Sequence, residues 1–174
     1  QYIDNQDINA VVKCLKSSNL TQGPFVEKFE KKIANLVNAK YAVAVSSCTA
    51  GLHISLKAVN FKKGDNIITS VISFVSTSNI SYFLNGNVKF TDMDEQTIGM
   101  NFNEVSKKIT NRTKAIIPVH MAGAAYNMKE IDSLRKNKKI SIIEDCAHAL
   151  GGKYPDGSMT VSYTHLRAHE TVGN

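Results

Sequence analysis

Apolar positions along the chain follow two spacings, one typical of helices and one typical of buried strands. Spacings of three and four residues predict amphipathic helices, and short, continuously apolar runs predict strands. The predicted helices are residues 8–15, 25–37, 49–59, 74–84, 103–109 and 128–137, and the predicted strands are 41–45, 66–70, 88–90, 114–117 and 140–143. Apolar strands that alternate with helices predict an α/β fold of three layers, with a mostly parallel sheet flanked by helices.

Ligands in such folds bind beyond the carboxyl ends of the strands, so the residues that follow each predicted strand are the candidate site. The first of these segments, residues 46–51 (SSCTAG), lies between a strand and a helix. Small residues let a ligand approach the backbone, and the N-terminus of a helix attracts a phosphate. A phosphate therefore fits this segment, and the Thr49 hydroxyl could add a hydrogen bond. The alternative is a helix cap formed by serine or threonine without any ligand.

A second candidate is the acidic segment after the strand at residues 140–143. A carboxylate at a buried strand end is costly unless it meets a cation or hydrogen-bond donors. Asp145 could pair with a protonated pyridine nitrogen, as an aspartate does in pyridoxal phosphate sites. His148 follows three residues later and could reach the same site. The alternatives are a helix-capping aspartate and a histidine in a core hydrogen bond.

Other strand-end residues have both a functional and a structural interpretation. Phe74 could stack on a planar ring or could be a core residue that opens a helix. The polar run at residues 76–79 could line a pocket or face solvent, and His120 is interpreted as a hydrogen-bonded structural histidine.

Composition narrows the class of protein. Of 174 residues, 43% are hydrophobic, which is ordinary for a globular protein, and no apolar run is long enough for a membrane helix. Three scattered cysteines argue against a disulfide scaffold or a zinc site, and they favour a reduced, cytoplasmic compartment. The net charge of +6 comes from lysines spread along the chain, four adjacent pairs among them, and this spread indicates a solvated surface rather than a nucleic-acid interface. No signal peptide is visible, and the absence of an initiator Met suggests a missing N-terminus.

An ordered set of segments resembles the DegT-type, pyridoxal-phosphate-dependent sugar aminotransferases of the aspartate-aminotransferase superfamily. The resemblance covers residues 1–154 and implies part of the large, cofactor-binding domain of that fold. The segments are LTQGP (20–24), SSCTAGLH (46–53), KGDNIIT (63–69), SFVSTSN (73–79), TKAIIPVH (113–120) and IEDCAHALG (143–151).

The resemblance implies roles for six residues. Thr49, with the backbone of Cys48 and Ala50, matches the phosphate cradle, although many relatives have Gly or Ala where Cys48 stands. Phe74 matches the aromatic side chain that stacks on the cofactor ring, and Asp145 matches the partner of the ring nitrogen. A further position, His148, matches a residue near the phenolic oxygen of the cofactor. No metal ligand is implied.

The family's Schiff-base lysine has no counterpart here, so no catalytic residue is assigned. Residues 159–162 are similar to the approach to the lysine segment, but the chain then turns into Tyr163-Thr164-His165. We therefore expect residues 1–160 to be the N-terminal part of the large domain. Residues 161–174 are expected to be an artefactual tail without a strand or helix pattern. The 174-residue chain is expected to be inactive.

The resemblance also implies substrates and partners. The expected reaction transfers an amino group from an amino-acid donor, glutamate, to the 4-keto carbon of a UDP-linked deoxy sugar, for surface polysaccharide or glycan synthesis. Residues 73–74 and 148–151 are most similar to the aminotransferases of pseudaminic acid synthesis, and residues 46–53 are also similar to those of 4-amino-4-deoxy-arabinose synthesis. A cytoplasmic homodimer is expected, without nucleic acid or membrane. The alternatives are a lysine-less sugar dehydratase, a non-catalytic phosphate-binding or nucleotide-sugar-binding module, and a basic nucleic-acid binder.

Overall fold

A computed structural model describes residues 2–125, 128–135, 139–154, 157, 160 and 166–168. The chain divides into two compact units, residues 1–44 and residues 45–174. The second unit contains the sheet and all six predicted site residues. Among the described residues, no helix has the length and apolar character needed to cross a membrane.

The first unit consists of two helices, α1 (Asn5–Leu15) and α2 (Pro24–Leu36). The Asp4 carboxylate caps α1 by accepting hydrogen bonds from the backbone N–H groups of Gln6 and Asp7. The Asp7 carboxylate in turn accepts a hydrogen bond from the Asp4 N–H group. Helix α2 begins with Pro24, whose fixed φ angle suits the first helical position. Both helices agree with the predicted amphipathic segments.

The predicted strand at residues 41–45 is wrong. The structure gives these residues no regular secondary structure, and Tyr41 and Val43 are 74% and 77% exposed. A strand is stabilised by a ladder with a neighbouring strand, whereas here the N–H group of Ala44 donates to Glu30 Oε1 at 2.8 Å. An apolar run predicts that a segment can be a strand, but it does not supply the partner.

The second unit is a sheet with helices between its strands. Its helices are α3 (Cys48–Ala58), α4 (Val75–Phe83), α5 (Phe102–Lys108) and α6 (Met128–Arg135), and a short 3₁₀ turn spans Met121–Gly123. Its strands are β1 (Asn66–Ser70), β2 (Asn87–Thr91), β3 (Thr113–Ile117), β4 (Ser141–Asp145) and β5 (Leu166–Ala168). The strand order is β2-β1-β3-β4-β5, and every pair is parallel. The predicted α/β class with a parallel sheet is confirmed.

Adjacent residues of each central strand enter different cores, because successive side chains point to opposite faces of the sheet. One core joins Ile67, Ile117 and Ile143 to α3 and α4, and the other joins neighbouring strand residues to α5 and α6. The members of the first core are Cys48, Leu52, Leu56, Phe61, Ile67, Ile80, Ala115, Ile117 and Ile143; those of the second are Ile68, Met100, Val105, Ile116, Met128, Ile131, Ile140, Ile142 and Tyr154. Two cores on two faces make the three layers that the sequence predicts.

The strand order places a topological switch point between β1 and β3, since the chain leaves β1 for β2 on one side and later returns to β3 on the other. The carboxyl ends of β3 and β4 are joined beyond the regular ladder. The Asp145 N–H group donates to Pro118 O at 2.9 Å, and the His120 N–H group donates to Asp145 O at 3.0 Å. The backbone of Asp145 is therefore fixed at the edge where ligands bind in such folds.

The sequence predicts no element beyond residue 160, yet the structure contains the strand β5 there. Leu166 and Ala168 pair with Ile143 and Asp145 in parallel register. The free edge of β4 offers unpaired backbone groups to any extended segment, and this explains how a run without strand patterning pairs with it. The remaining residues of 161–174 lie outside the described residues, and the domain boundary at residue 160 stays a prediction.

Candidate functional site

The N-terminus of α3 contains the predicted phosphate-binding residues. Ser47 caps the helix, with its Oγ accepting from the Ala50 N–H group at 3.2 Å. Cys48 is buried, whereas Thr49 and Ala50 are half-buried and thus reach the surface at the first turn. Ser47 thus forms a helix cap of the kind that the sequence allows. A cap of this kind leaves the partial positive charge of the helix end available to an anion.

Replacing Ser47 by alanine tests the contribution of this cap. We expect the free energy of unfolding to fall by about 1 kcal/mol, because the Ala50 N–H group loses its side-chain acceptor. Urea denaturation followed by circular dichroism measures the change. Ser47→Thr, which keeps a capping hydroxyl, is the matched control. Equal loss in both variants would contradict the cap.

Asp145 lies at the end of β4 with its carboxylate surrounded by donors. Its Oδ2 accepts from Thr77 Oγ1 at 2.8 Å, and its Oδ1 accepts from the Ala147 N–H group at 3.3 Å and from Cys48 Sγ at 3.6 Å. The residue is only 3% exposed. The structure therefore brings two predicted site residues, Cys48 and Asp145, into contact and adds Thr77 to them.

Two helices begin beside this carboxylate. Cys48 is the first residue of α3, and Thr77 is the third residue of α4. Each helix N-terminus carries a partial positive charge that attracts an anion within the first turn. The Asp145 carboxylate is thus placed beside two helix N-termini, both of which favour a negative charge.

Phe74 occupies the N-cap position of α4, and its side chain is 67% exposed. Its alternative interpretation as a core residue is therefore wrong, and its ring is available to a ligand. The Thr77 N–H group donates to Phe74 O at 3.0 Å, so one helical turn connects the exposed ring to the residue that holds Asp145. His148 is exposed in the turn that follows β4.

Sequence reasoning missed the importance of Thr77. It left the polar run at 76–79 open between a pocket lining and a solvated face, and the structure buries Ser76, Thr77 and Ser78. A signal was present, because a hydroxyl without solvent access requires a hydrogen-bond partner. Naming that partner requires the fold, since Thr77 and Asp145 are 68 residues apart in the chain.

Glu144 forms a second buried cluster on the opposite face of β4. Its Oε2 is hydrogen-bonded to His120 Nε2 at 2.7 Å and accepts from the Tyr154 hydroxyl, and the rings of His120 and Tyr154 pack edge to face. Cys146 lies nearby, with one ligand atom of each of His120, Glu144 and Cys146 within 4.8 Å of the others. The prediction that His120 is a hydrogen-bonded structural residue is confirmed, whereas Tyr154 was not predicted.

The loop after β2 carries a separate group of acidic side chains at the surface. The Asp92 N–H group lowers the pKa of Glu104, and the neighbouring Lys108 at 3.1 Å adds to the effect. The Thr97 N–H group lowers the pKa of Asp94. These contacts organise the loop and the start of α5, and they do not involve the predicted site residues.

The fold and the site together define a class of protein. They combine a parallel three-layer α/β sheet with a buried carboxylate at a strand end, an adjacent exposed aromatic ring and a capped helix N-terminus. The sequence model of the DegT/DnrJ/EryC1/StrS aminotransferase family matches residues 1–167, and the chain belongs to this family.

Two curated relatives are similar over 152 residues, which is 87% of the chain. The spore coat polysaccharide biosynthesis protein SpsC of Bacillus subtilis is 40% identical, and the UDP-4-amino-4-deoxy-L-arabinose–oxoglutarate aminotransferase of Shewanella sediminis is 41% identical. The matched region is 39% of the length of each relative. The chain thus spans about two fifths of these curated relatives.

Solved structures show the same fold. The aminotransferase of Psychrobacter cryohalolentis superposes with a TM-score of 0.91 at 29% identity, over 97% of the chain and 43% of that structure. A GDP-4-keto-6-deoxymannose-3-dehydratase, solved with a trapped PLP-glutamate geminal diamine, superposes with a TM-score of 0.84 at 28% identity. That match covers 90% of the chain and 42% of the dehydratase.

Proposed function

We propose that this chain is the N-terminal part of the cofactor-binding domain of a sugar aminotransferase that uses pyridoxal 5'-phosphate. The observation that carries the proposal is the buried Asp145 carboxylate at the end of β4. A carboxylate offers about four acceptor positions, and among the described residues three groups donate to this one. The remaining position, on Oδ2, suits a protonated ring nitrogen.

The other proposed contacts fit the same cofactor. The backbone of Cys48 and Ala50, with the hydroxyl of Thr49, would bind the phosphate at the N-terminus of α3. The Ala50 N–H group would then exchange the Ser47 Oγ acceptor for a phosphate oxygen. Phe74, exposed at the start of α4, would stack on the ring. His148 in the turn after β4 would lie near the phenolic oxygen.

When bound, pyridoxal phosphate supplies an electron-withdrawing ring that lets an amino group move between two substrates. In that chemistry Asp145 would hold the proton on the ring nitrogen, Phe74 would fix the plane of the ring, and the α3 N-terminus would anchor its phosphate. No lysine of this chain is assigned to the covalent attachment. We therefore propose that the 174-residue polypeptide binds the cofactor without completing transamination.

The relatives support a sugar substrate for the whole protein. SpsC is named for polysaccharide biosynthesis and the Shewanella relative for a UDP-linked amino sugar. We propose a nucleotide-linked 4-keto deoxy sugar as acceptor and glutamate as donor, with pseudaminic acid precursors as the first candidate sugar. The whole protein is proposed to act as a cytoplasmic homodimer.

A second candidate function is sugar dehydration. The similarity to GDP-4-keto-6-deoxymannose-3-dehydratase favours it, because the match extends over 90% of the chain. The proposed contacts to the ring and the phosphate would serve either reaction, because the aminotransferase and the dehydratase are both similar to this chain over most of its length. Which residue occupies the lysine position in the whole protein distinguishes the two.

The proposal is tested with pyridoxamine 5'-phosphate, which lacks the aldehyde that would react with the surface lysines of this basic chain. We expect saturable, one-site binding by isothermal titration calorimetry, at least tenfold tighter than the binding of inorganic phosphate. Pyridoxamine without the phosphate is the matched control for the α3 contact. Equal affinity for pyridoxamine 5'-phosphate and inorganic phosphate would contradict the proposal and would indicate a phosphate-binding module.

A further inference from the structure

We infer that the Thr77 hydroxyl and the Cys48 thiol act as a pair of positioning groups that orient the Asp145 carboxylate toward its ligand. This inference rests on the proposed function and assigns these two side chains a role at the ring end of the cofactor. Sequence similarity places Cys48 only at the phosphate end, through its backbone. The structure shows its side chain at the carboxylate, with Sγ 3.6 Å from Asp145 Oδ1.

The orientation of an aspartate carboxylate depends on its donors, because the terminal torsion of the side chain is broad and only weakly restrained. The Asp145 backbone is fixed by its hydrogen bonds to residues 118 and 120. That restraint does not determine which lone pair faces the ligand. Of the contacts to the carboxylate described above, that of Thr77 is the shortest, at 2.8 Å to Oδ2, and Cys48 contacts the other oxygen. Holding both oxygens restricts rotation, and within the described part of the chain no donor takes the second position of Oδ2.

Thr77 is well suited to this role because its own position is restrained. The residue is fully buried in the first turn of α4, and a β-branched side chain in a helix has few rotamers. Its N–H group also donates to Phe74 O at 3.0 Å. Thr77 therefore connects Phe74, the proposed stacking residue, to Asp145, the proposed partner of the ring nitrogen. One helical turn thus determines the position of the Phe74 backbone and the orientation of the Asp145 carboxylate.

Cys48 supplies the weaker half of the pair. A thiol is a poor donor, and a sulfur contact of 3.6 Å restrains the carboxylate less than the Thr77 hydroxyl does. The side chain is 4% exposed and belongs to the core between the sheet and α3. We expect its removal to have a smaller effect than that of Thr77, and the order of the two effects is part of the inference.

The test compares Thr77→Val, Thr77→Ser, Cys48→Ala and Ser81→Ala in the 174-residue chain. Ser81 is the matched control, because it is a fully buried hydroxyl on the same helix that donates to Asn87 O at 2.8 Å instead of to Asp145. Affinity for pyridoxamine 5'-phosphate is measured by calorimetry. We expect about tenfold weaker binding for Thr77→Val, since a hydrogen bond to a charged group is lost, and about twofold weaker binding for Cys48→Ala. Thr77→Ser and Ser81→Ala should stay within about twofold of the unmodified chain.

A second measurement needs no cofactor. The Ala147 N–H group donates to Asp145 Oδ1, so its ¹⁵N-correlated resonance reports the orientation of the carboxylate. This resonance should move in Thr77→Val, return in Thr77→Ser and stay in place in Ser81→Ala. If the unmodified chain does not bind pyridoxamine 5'-phosphate, the proposed function fails and this resonance alone decides the inference. An unmoved resonance in Thr77→Val, or equal effects of the Thr77→Val and Ser81→Ala substitutions on affinity, would overturn it.

Discussion

Replacing Asp145 by asparagine is expected to weaken the binding of pyridoxamine 5'-phosphate by about 10- to 100-fold. The amide keeps the shape of the carboxylate and can still accept from Thr77, but it has no negative charge to pair with a protonated ring nitrogen. Titration calorimetry at neutral pH measures the loss. Because asparagine has nearly the same volume as the aspartate, which is only 3% exposed, the variant should remain folded.

The control for this substitution is Asp65→Asn. Asp65 immediately precedes β1, at the opposite end of the sheet, and its carboxylate accepts from the Lys62 N–H group at 2.9 Å. Its replacement removes the same charge from the chain without touching the candidate site, so affinity should stay within about twofold of the unmodified chain. Equal losses in the two variants would show that Asp145 acts only through net charge, contrary to the proposed pairing.

Replacing Glu144 by alanine is expected to lower the free energy of unfolding by about 3–5 kcal/mol, because it removes a buried carboxylate that two buried polar side chains contact. The carboxylate accepts from Tyr154 and is bonded to His120, and all three side chains are almost completely buried. Urea denaturation with circular dichroism gives the change. Such a loss is a large fraction of the stability of an ordinary domain.

Two further variants separate the polar cluster from simple loss of volume. The exposed Glu95, replaced by alanine, should change the free energy of unfolding by less than about 0.5 kcal/mol. The double variant Glu144→Leu with His120→Leu should recover part of the loss, since it also removes the His120 ring from the apolar surroundings. The recovery should be incomplete, because the Tyr154 hydroxyl still loses its contact with Glu144. A double variant that is less stable than Glu144→Ala would contradict this account.

Local pattern was sufficient for most of the fold. The alternation of apolar runs and amphipathic segments predicted every helix and strand of the second unit up to β4, because burial on both faces of a parallel sheet leaves a clear signature. The wrong prediction at residues 41–45 arises because a local pattern does not show whether a segment has a neighbouring strand. Tyr41 and Val43 satisfy the composition of a strand, but pairing depends on a neighbour that no local pattern specifies.

The candidate site was predictable where a strand end alone determines position. Asp145 follows an apolar run, so its location at the carboxyl edge of the sheet could be derived from the chain. Its partners could not, since Cys48 and Thr77 lie 97 and 68 residues away and depend on how α3 and α4 pack. The same limit applies to Tyr154, whose hydroxyl contacts Glu144 through the folding of the segment after β4.

The alternation of side chains along β4 places two consecutive acids in different surroundings. Glu144 contacts Tyr154 in the core with α5 and α6, whereas Asp145 contacts Cys48 in the core with α3 and α4. Insertion or deletion of one residue within β4 would exchange the two faces. We therefore expect the strand to tolerate replacement of an isoleucine by another apolar residue far better than any change in its length. Natural variation at this strand should consist of replacements rather than insertions or deletions.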